Sequence, residues 1–376
     1  MPTMNNNVEP DKRIEQIDQE IAKLFEERLE LTRQADEGMT TSEIALRCRK
    51  YEREVLGKAG DFDRVLLATM FNLSRSYKLT GYGNSTSPLV EDIRRAIEET
   101  PKTFPSTALV ACQGVEGAYS QIAADKLFAG ADIRFYKNFE GVFKAVEDGT
   151  AQYGVLPIEN STYGSVIAVY DLMRVHKFHI VRSIRLKINH RLMAKNGTSL
   201  EDVKEVYSHE QALGQCSEFL KNNPQIKVTI VANTAMAAQM VADSDRSDVA
   251  AISSPDCASL YGLNIIRDDI MNSDHNYTRF ICISKSLEIF PGASKISMMM
   301  ALGHTPGSLS DTLVKFSSLG LNLTKIESRP IAGRDFEFMF YLDIDCSIYS
   351  EDVLTLIGHL DSEPTEFTFL GSYLEV

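Results

Sequence analysis

Long apolar runs are missing from this 376-residue sequence, and no stretch approaches the ~20 residues that a membrane-spanning helix requires. A secretory signal is missing as well, because Met1 to Pro10 is polar and rich in asparagine, without a basic start and an apolar centre. We read this stretch as a short disordered leader. Together the two absences predict a cytoplasmic protein with no membrane partner.

Basic residues are scarce relative to acidic ones. The 39 lysines and arginines face 52 aspartates and glutamates, which gives a net charge of −13. Such a chain repels nucleic acid and anionic lipid, and no basic run offsets that repulsion. We therefore expect no nucleic-acid partner, and we expect any anionic substrate to be held by a few locally concentrated cations.

Cysteines are also few. The six cysteines are scattered without the spacing of metal ligands, so we expect reduced thiols rather than a disulfide framework. His176 and His179 lie three residues apart, but no further candidate ligands cluster with them. The sequence predicts neither a metal site nor a cofactor.

Apolar residues are abundant enough for several separate cores. Hydrophobic residues make up 44% of the chain and charged residues 24%, values typical of a globular protein. At about 150 residues per domain, the length predicts two or three domains. The order of predicted elements divides the chain into a helical region (1–84), a linker with a short helix (85–106), an α/β region (107–284) and an α+β region (295–376).

The helical region opens with an amphipathic helix from Asp11 to Ala35. Its apolar residues alternate three and four apart, as a helix seam requires, at Ile14, Ile17, Ile21, Leu24, Leu31 and Ala35. Arg28 occupies the same seam, where a guanidinium must be paired, extend to solvent or reach a ligand. Two further helices, predicted over 41–56 and 61–79, complete a module without strands.

This three-helix region resembles the helical chorismate mutase domain, which binds a dicarboxylate with several arginines and lysines. In an ungapped match, Arg28 and Glu52 stand where that family has them. Asp11, Met39 and Tyr51 stand where the family has basic residues. An acidic or neutral residue at these positions repels a dianion or leaves it without a donor, so the resemblance implies the shape of a mutase without its activity.

Polar residues gather at the ends of four strands of the α/β region. These four corners comprise Gly114 to Ser120, Pro157 to Ser161, Ser208 to Cys216 and, at the mouth of a strand, Thr278 to Phe280. Ligands of open α/β sheets bind at the carboxyl ends of strands, where such residues lie. A capping threonine with a solvated arginine explains one corner by itself, but four corners along one segment indicate a ligand site.

Taken together and in this order, the four corners resemble the prephenate dehydratase family over residues 107–284. The resemblance implies two α/β lobes around a cleft, like type II periplasmic binding proteins, with crossings near 182–191 and 270–278. It implies the conversion of prephenate to phenylpyruvate, CO2 and water in L-phenylalanine biosynthesis. It assigns catalytic roles to Thr278, Glu159, Asn160 and Gln215, and substrate contacts to Ser161, Ser208, His209, Arg279 and Phe280.

The chemistry of this reaction restricts the roles that Thr278 and Arg279 can have. Loss of the ring hydroxyl needs a proton donor, and the Thr278 hydroxyl serves only through a polarised hydrogen bond or a relay, because an alcohol is a poor acid. A cation beside the ring carboxylate would stabilise the group that must be expelled. We therefore expect Arg279 to anchor the pyruvyl carboxylate or to support the site from behind. We expect the ring carboxylate to lie in a weakly donating pocket near Phe280.

The C-terminal region predicts the order strand, helix, strand, strand, helix, strand over residues 295–303, 307–319, 321–329, 336–345, 350–360 and 366–373. This βαββαβ order is ferredoxin-like. Residues 307–309 and 322–330 resemble the phenylalanine-binding ACT domain, whose glycine admits a close backbone approach and whose helix N-terminus favours a carboxylate. The resemblance implies L-phenylalanine as an effector, contacted by Gly307, Leu309, Asn322, Leu323, Thr324, Glu327, Ser328 and Arg329.

The resulting prediction is a multidomain enzyme with an all-α N-terminal module, a two-lobed α/β catalytic domain and a ferredoxin-like α+β regulatory domain. ACT domains commonly pair, so the resemblance implies a homodimer or homotetramer. A bifunctional enzyme is the first alternative, since a shifted register brings Arg47, Arg49 and Lys50 near the mutase-like site. An amino-acid sensor without catalysis is the second alternative, against which the intact Thr278, Glu159 and Asn160 argue.

Overall fold

The computed structural model describes residues 8–39, 41–60, 63–71, 74, 87–303, 307–331, 333–334, 337–362 and 366–376. Several predicted features lie partly outside these residues: the leader at 1–7, the third helix at 61–62 and beyond 71, the linker at 84–86, and the start of a strand at Phe336. Among the helices that the structure describes, none is long and apolar enough to cross a membrane.

The N-terminal region is helical, as predicted. It contains α1 (Val8–Asp36), α2 (Thr41–Lys58) and α3 (residues 63–71). The apolar seam of α1 is not covered within the described chain, because its members Ile14, Ile17, Ile21, Leu24 and Leu31 are 39–65% exposed. The periodicity therefore predicted the helix correctly, but it did not identify a buried face.

The predicted linker helix is part of a folded core. Helix α4 (Pro88–Glu99) begins at Ser87, whose side chain accepts a hydrogen bond from the Val90 backbone N–H. Its residues Val90, Ile93 and Ala96 are buried in one cluster with side chains of the C-terminal region. Because burial of an apolar helix face stabilises its docking, α4 belongs structurally with the C-terminal region rather than with a free linker.

The central region alternates strands and helices. Its elements are β1 (Thr107–Gln113), α5 (Tyr119–Leu127), β2 (Gly130–Tyr136), α6 (Phe139–Glu147), β3 (Tyr153–Asn160), β4 (Gly164–Ser165), α7 (Ile167–His176), β5 (His179–Lys187), β6 (Arg191–Ala194), a 3-10 turn (Leu200–Asp202), β7 (Glu205–Ser208), α8 (Glu210–Gln215), α9 (Ser217–Lys221), β8 (Lys227–Ile230), α10 (Thr234–Asp243), β9 (Val249–Ser253), α11 (Pro255–Tyr261), β10 (Asn264–Arg267) and β11 (Tyr277–Ser284).

These elements form two lobes. The first lobe is built on the strand order β5-β11-β3-β1-β2, and the second lobe on the order β10-β6-β9-β7-β8. The chain leaves the first lobe at residues 188–190, within the expected range 182–191, and returns over 268–276, which overlaps the expected range 270–278. The two crossing segments are tied together where the Ile188 N–H donates to the Asn276 carbonyl at 2.8 Å. Thr278 therefore follows the hinge directly, as the sequence predicted.

The C-terminal module, residues 295–376, has the predicted βαββαβ order. Its elements are β12 (Lys295–Ala301), α12 (Ser308–Ser318), β13 (Asn322–Pro330), β14 (Phe338–Asp345), α13 (Glu351–Ser362) and β15 (Phe367–Glu375). Parallel pairing of β15 with β5 joins the module to the first lobe in one ten-stranded sheet. At this joint Gly371 has φ +140°, and a Cβ there would lie 2.3 Å from the Ile180 carbonyl oxygen, so only glycine fits.

Strand β11 separates two cores, since successive side chains of a strand point to opposite faces. Ile281 and Ile283 pack in a cluster with Tyr341 of the C-terminal module. Phe280 and Cys282 pack on the other face, in the cluster that contains α5. The residues before them follow the same alternation, which determines what each polar side chain of β11 can reach.

Candidate active site

A β-bulge decides which polar residues of β3 accompany Thr278. Thr278 pairs with Asn160 and Arg279 with Glu159, but Phe280 pairs with Pro157, so Ile158 is an extra residue in β3. A bulge changes the face to which the following side chains point. Here it brings Asn160 to the face of Thr278 and leaves Glu159 beside Arg279.

Asn160 holds the Thr278 hydroxyl. The Asn160 side-chain amide donates to Thr278 Oγ1 at 2.8 Å, and its Oδ1 accepts from the backbone N–H groups of Thr162 and Tyr163, both at 2.9 Å. Because backbone N–H groups can only donate, they fix the orientation of this amide. The Thr278 oxygen therefore accepts one hydrogen bond, and its own proton remains available to an acceptor in front of it.

Thr278 and Asn160 line a cleft of about 330 Å³ between the lobes. The first lobe also contributes the apolar side chains of Phe139, Pro157 and Phe280, and the second lobe contributes His209, Gln215 and Thr234. Of the predicted site residues, Thr278, Asn160, Gln215, His209 and Phe280 thus share one cavity. A cavity of this size with an apolar floor and few polar groups is typical of a small-molecule site.

His190 is a residue of the cleft that the sequence analysis missed. It is 3% exposed, and its Nε2 lies 3.0 Å from Gln215 Oε1. Burial lowers the pKa of His190 to about 4, so the ring is neutral and Nε2 donates to the amide oxygen. The residue belongs to no motif. Its position between β5 and β6, in the expected crossing range, was the only available signal.

The cleft offers dipoles rather than cations. None of its described lining residues is lysine or arginine. Instead, the N-termini of α5 and α10 open into it from opposite lobes, at Tyr119 and Thr234. Unsatisfied N–H groups and the helix dipole favour negative charge at such ends. The expectation that local cations hold an anionic substrate is therefore corrected for this cavity.

Arg279 points away from the cleft. It is 7% exposed, and its Nη2 lies 2.6 Å from Asp343 Oδ2 and 3.5 Å from Glu159 Oε2. Burial alone lowers the pKa of the guanidinium, but the neighbouring Tyr373, Asp343 and Tyr170 outweigh it and raise the pKa. The expected contact with the pyruvyl carboxylate is corrected, because the side chain lies on the opposite face of β11. The alternative, support from behind, is retained.

Three further predicted contacts also lie outside the cavity. Glu159 follows the bulge and faces the C-terminal module, where its Oε1 lies 3.1 Å from Lys325 Nζ. Ser208 is fully buried and donates to the Ile252 carbonyl at 2.6 Å. Ser161 Oγ accepts from the Tyr277 N–H at 2.9 Å, which ties it to the hinge. Each side chain is occupied within the fold, so direct contact with a ligand in the cleft is not supported.

A second cavity, of about 470 Å³, lies among α1, α2 and α3 and includes Arg28 and Glu52 in its lining. Arg28 donates to Ser74 and stacks over the Phe71 ring, 4.9 Å from its centroid. Arg47 lines the same cavity and contacts Asp36. Both guanidiniums are therefore already engaged within the module.

The remaining members of the mutase comparison contribute little to that cavity. Tyr51 forms part of its wall, whereas Asp11 and Met39 are not in its lining. Of the residues in the shifted register, Lys50 is exposed, and the side chain of Arg49 lies outside the described part of the chain. The described cavity thus holds fewer cations than a dicarboxylate site of the expected kind.

The predicted effector residues occupy two neighbouring elements of the C-terminal module. Gly307 caps α12 with φ +91°, a conformation that favours glycine, and Leu309 lies in the first turn of that helix. The others lie on β13: Asn322, Leu323, Thr324, Glu327, Ser328 and Arg329. Some of them face the first lobe, since Glu327 accepts from Ser165 Oγ at 2.9 Å. The motif is therefore adjacent to β4.

Known proteins resemble this chain over most of its length. A family model described as prephenate dehydratase matches residues 110–288. The chain is 36% identical over 307 residues to arogenate dehydratase 2 of Petunia hybrida, with 77% of each sequence covered. It is 30% identical to the bifunctional chorismate mutase/prephenate dehydratase of Escherichia coli strain K12, with 96% of this chain and 94% of that protein covered.

A solved structure is similar as well. A prephenate dehydratase from Arthrobacter aurescens, in complex with L-Phe, superimposes with a TM-score of 0.64 at 30% sequence identity. The likeness covers 71% of this chain and 89% of that one. The similarity therefore extends from sequence to fold.

Proposed function

This chain belongs to the prephenate dehydratase family and is a dehydratase, and we propose that it converts prephenate to phenylpyruvate, CO2 and water. The observation that carries the proposal is the Thr278 hydroxyl, oriented by Asn160 in the cleft between the lobes. Arogenate, named in the Petunia relative and carrying an ammonium group where prephenate has a ketone, is the second candidate substrate.

The chemistry needs one proton and a route for one carboxylate to leave. The bond between the ring and its carboxylate breaks, CO2 departs, and the electron pair of that bond enters the ring as the hydroxyl leaves. Thr278 donates the proton that turns the departing hydroxyl into water, and a proton taken up from solvent restores the Thr278 hydroxyl. The Asn160 amide, 2.8 Å from Oγ1, polarises this hydroxyl and stabilises its oxygen while the proton is transferred.

The substrate carboxylates call for different surroundings. We assign the pyruvyl carboxylate to the helix N-termini at Tyr119 and Thr234, where backbone dipoles favour an anion. We assign the ring carboxylate to the apolar side of the cleft near Phe280, where weak solvation favours its loss as neutral CO2. Gln215, oriented by the neutral His190, and His209 border the space between them.

We infer that the C-terminal module is an ACT-type regulatory domain that binds L-phenylalanine. Its βαββαβ order and the capping glycine Gly307 support this assignment, as does the likeness to a dehydratase with bound L-Phe. The proposed effector contacts are Gly307, Leu309, Asn322, Leu323, Thr324, Glu327, Ser328 and Arg329. A homodimer or homotetramer in the cytoplasm completes the proposal, and the buried thiols of Cys112, Cys216, Cys257 and Cys282 support a reducing compartment.

The helical module is proposed to lack mutase activity. Binding a dicarboxylate beside Glu27 and Glu52 would require Arg28 and Arg47 to leave their present partners, at the cost of burying unpaired groups. Because the Escherichia coli relative is named as bifunctional, mutase activity of this module is the alternative to be tested. Chorismate consumption by the full chain would overturn this part of the proposal.

The decisive assay follows phenylpyruvate formation from prephenate by the purified chain, with arogenate as a second arm. Thr278→Val, which removes the hydroxyl at nearly constant volume, should lower kcat about 100- to 10,000-fold with little change in KM, as expected for loss of a general acid. Thr198→Val, at a buried threonine of the second lobe that bonds to Ser247, is the matched control.

Three outcomes distinguish a dehydratase that uses Thr278 from a dehydratase that does not and from a sensor. Product formation that Thr278→Val abolishes supports the assignment. Turnover that persists in Thr278→Val excludes Thr278 as the donor. A chain that binds L-phenylalanine but forms no product from either substrate is a sensor rather than an enzyme.

A further inference from the structure

Four charged side chains meet behind the active-site strands, between the first lobe and the C-terminal module. Arg279 of β11 lies 2.6 Å from Asp343 of β14, and Glu159 of β3 lies 3.1 Å from Lys325 of β13. Arg279 and Glu159 also approach each other to 3.5 Å. We call these four residues the back cluster. It contains two cations and two anions, and a further carboxylate, Glu375 of β15, lies 3.9 Å from Arg279 at its edge.

Three members of the back cluster are shielded from solvent. The side chains of Arg279, Asp343 and Lys325 are 7%, 8% and 9% exposed, whereas that of Glu159 is 38% exposed. Charges that are removed from water must be paired in good geometry, and loss of one partner leaves an uncompensated charge in a poorly solvated place. The positions of these four side chains are therefore strongly coupled to one another.

The cluster is also coupled to the cleft through the backbone. Glu159 and Arg279 are paired across β3 and β11, and the next pair along the same strands is Asn160 with Thr278. Asn160 and Thr278 form the 2.8 Å hydrogen bond that orients the proposed donor. A displacement of the Glu159–Arg279 pair therefore changes the geometry of that hydrogen bond.

A second set of contacts joins β13 to β4, the strand that pairs with β3. Lys325 Nζ donates to Ser165 Oγ at 2.8 Å, and Ser165 Oγ donates to Glu327 at 2.9 Å. Ser165 lies on β4, which pairs with β3 at Glu159. Strand β13 thus contacts β3 through Glu159 and β4 through Ser165, the two strands that pair at Asn160, and Glu327 of the proposed effector motif takes part.

We propose that Lys325 and Asp343 of the C-terminal module are positioning residues for the dehydratase reaction. By pairing with Glu159 and Arg279 they hold β3 and β11 at the separation that keeps Asn160 bonded to Thr278. The inference rests on the proposed function, and it makes the regulatory module part of what builds the catalytic geometry. An effector that shifts β13 acts on Thr278 through these ion pairs.

The test compares matched neutral variants of the full chain. Asp343→Asn and Lys325→Met should each lower kcat about 10- to 100-fold, because small displacements of reacting groups cost that much, while KM for prephenate changes about twofold or less. Lys295→Met is the control. It removes an equally buried lysine of the same module that contacts Asp345 at 2.6 Å and Thr324 of β13 at 3.4 Å, but no side chain of β3 or β11 among the contacts described. Its kcat should stay close to that of the unmutated chain.

Two additional variants separate positioning from loss of folding. Asp343→Glu keeps the charge and should recover most of the kcat lost in Asp343→Asn. The double variant Arg279→Gln, Asp343→Asn should lose no more kcat than the worse single variant, since both remove the same link. Multiplicative losses would contradict a shared role, and the midpoint of thermal unfolding is recorded for every variant.

Different results would overturn the proposed function and the positioning role of Lys325 and Asp343. If the unmutated chain forms no phenylpyruvate, the proposed function is overturned and the positioning role with it. If the unmutated chain is active and folded Asp343→Asn and Lys325→Met retain its kcat, only the positioning role is overturned. If one of these two variants does not fold, the other decides, and its kcat must fall about 10-fold or more for the proposal to hold.

Discussion

The two cavities of this chain prepare for a ligand in opposite ways. In the cleft between the lobes, the described lining contains no lysine or arginine, and neutral groups are oriented by their neighbours, as Asn160 orients Thr278. In the helical module the lining contains Arg28 and Arg47, but each guanidinium is bound to a residue of the module itself.

The difference shows what a decarboxylating elimination needs from its site. A cation beside the departing carboxylate would stabilise the ground state, whereas an oriented neutral donor acts on the charge that develops as the hydroxyl leaves. The cleft supplies that donor and retains charge behind it, at Arg279. The lining of the helical cavity carries two guanidiniums, but each of them is already bound to a neighbouring group, Arg28 to Ser74 and Arg47 to Asp36.

The largest expected effect comes from removing the orientation of the donor. Asn160→Leu deletes the amide that contacts Thr278 Oγ1, and kcat should fall about 100- to 1,000-fold, the usual loss for one preorganised donor. Phenylpyruvate formation at saturating prephenate measures it. Asn264→Leu, at an exposed asparagine of the second lobe, is the control. If both variants retain full turnover, the cleft does not depend on Asn160 and the contrast between the cavities loses its catalytic meaning.

A neutral cleft also predicts how stability changes with pH. The pKa of His190 is lowered by burial to about 4, so the folded protein leaves the ring neutral while the unfolded chain binds a proton below pH about 6.5. Above that pH His190 should therefore not change the free energy of unfolding. As the pH falls from about 6.5 towards 4, His190 should lower the free energy of unfolding, by about 3 kcal/mol at most.

Urea unfolding between pH 4 and pH 7 measures this dependence. His190→Gln, which cannot titrate, should give a shallower loss of unfolding free energy on the acid side. His275→Gln, at an exposed histidine beside the hinge, is the control variant. An acid slope that His190→Gln leaves unchanged would mean that His190 is charged in the folded cleft or contributes nothing to the slope.

Local pattern accounts for much of what the sequence predicted. The helical period of α1 and the βαββαβ order of the C-terminal module depend on neighbours in sequence, and the structure agrees with them. The crossing near residues 182–191, which the family resemblance implied, agrees with the structure as well. The polar corners also identified Thr278, Asn160 and Gln215, which do share the cleft. These features follow from periodicity and from the edge at which strands end.

What the sequence missed depends on contacts that no local pattern encodes. The bulge at Ile158 places Asn160 on the face of Thr278 and Glu159 on the opposite face. Strict alternation along β3 would have assigned the two faces the other way round. Arg279 was expected to meet a carboxylate of the substrate, but Asp343, 64 residues later in the chain, accepts it instead. The pairing of β15 with β5 and the exposed seam of α1 are likewise decided by tertiary packing.

The smallest expected effect concerns the helical cavity. Arg28→Gln should leave phenylpyruvate formation within about twofold of the unmutated chain, because Arg28 contacts only Ser74 and Phe71 among the contacts described and lies outside the cleft. The midpoint of thermal unfolding should fall, since a hydrogen bond to a charged group is lost from a partly buried site. Chorismate consumption, followed on the same samples, should be absent from both proteins. Consumption by the unmutated chain that Arg28→Gln abolishes would show that the engaged guanidinium is released for a ligand, and the two cavities would then be two active sites.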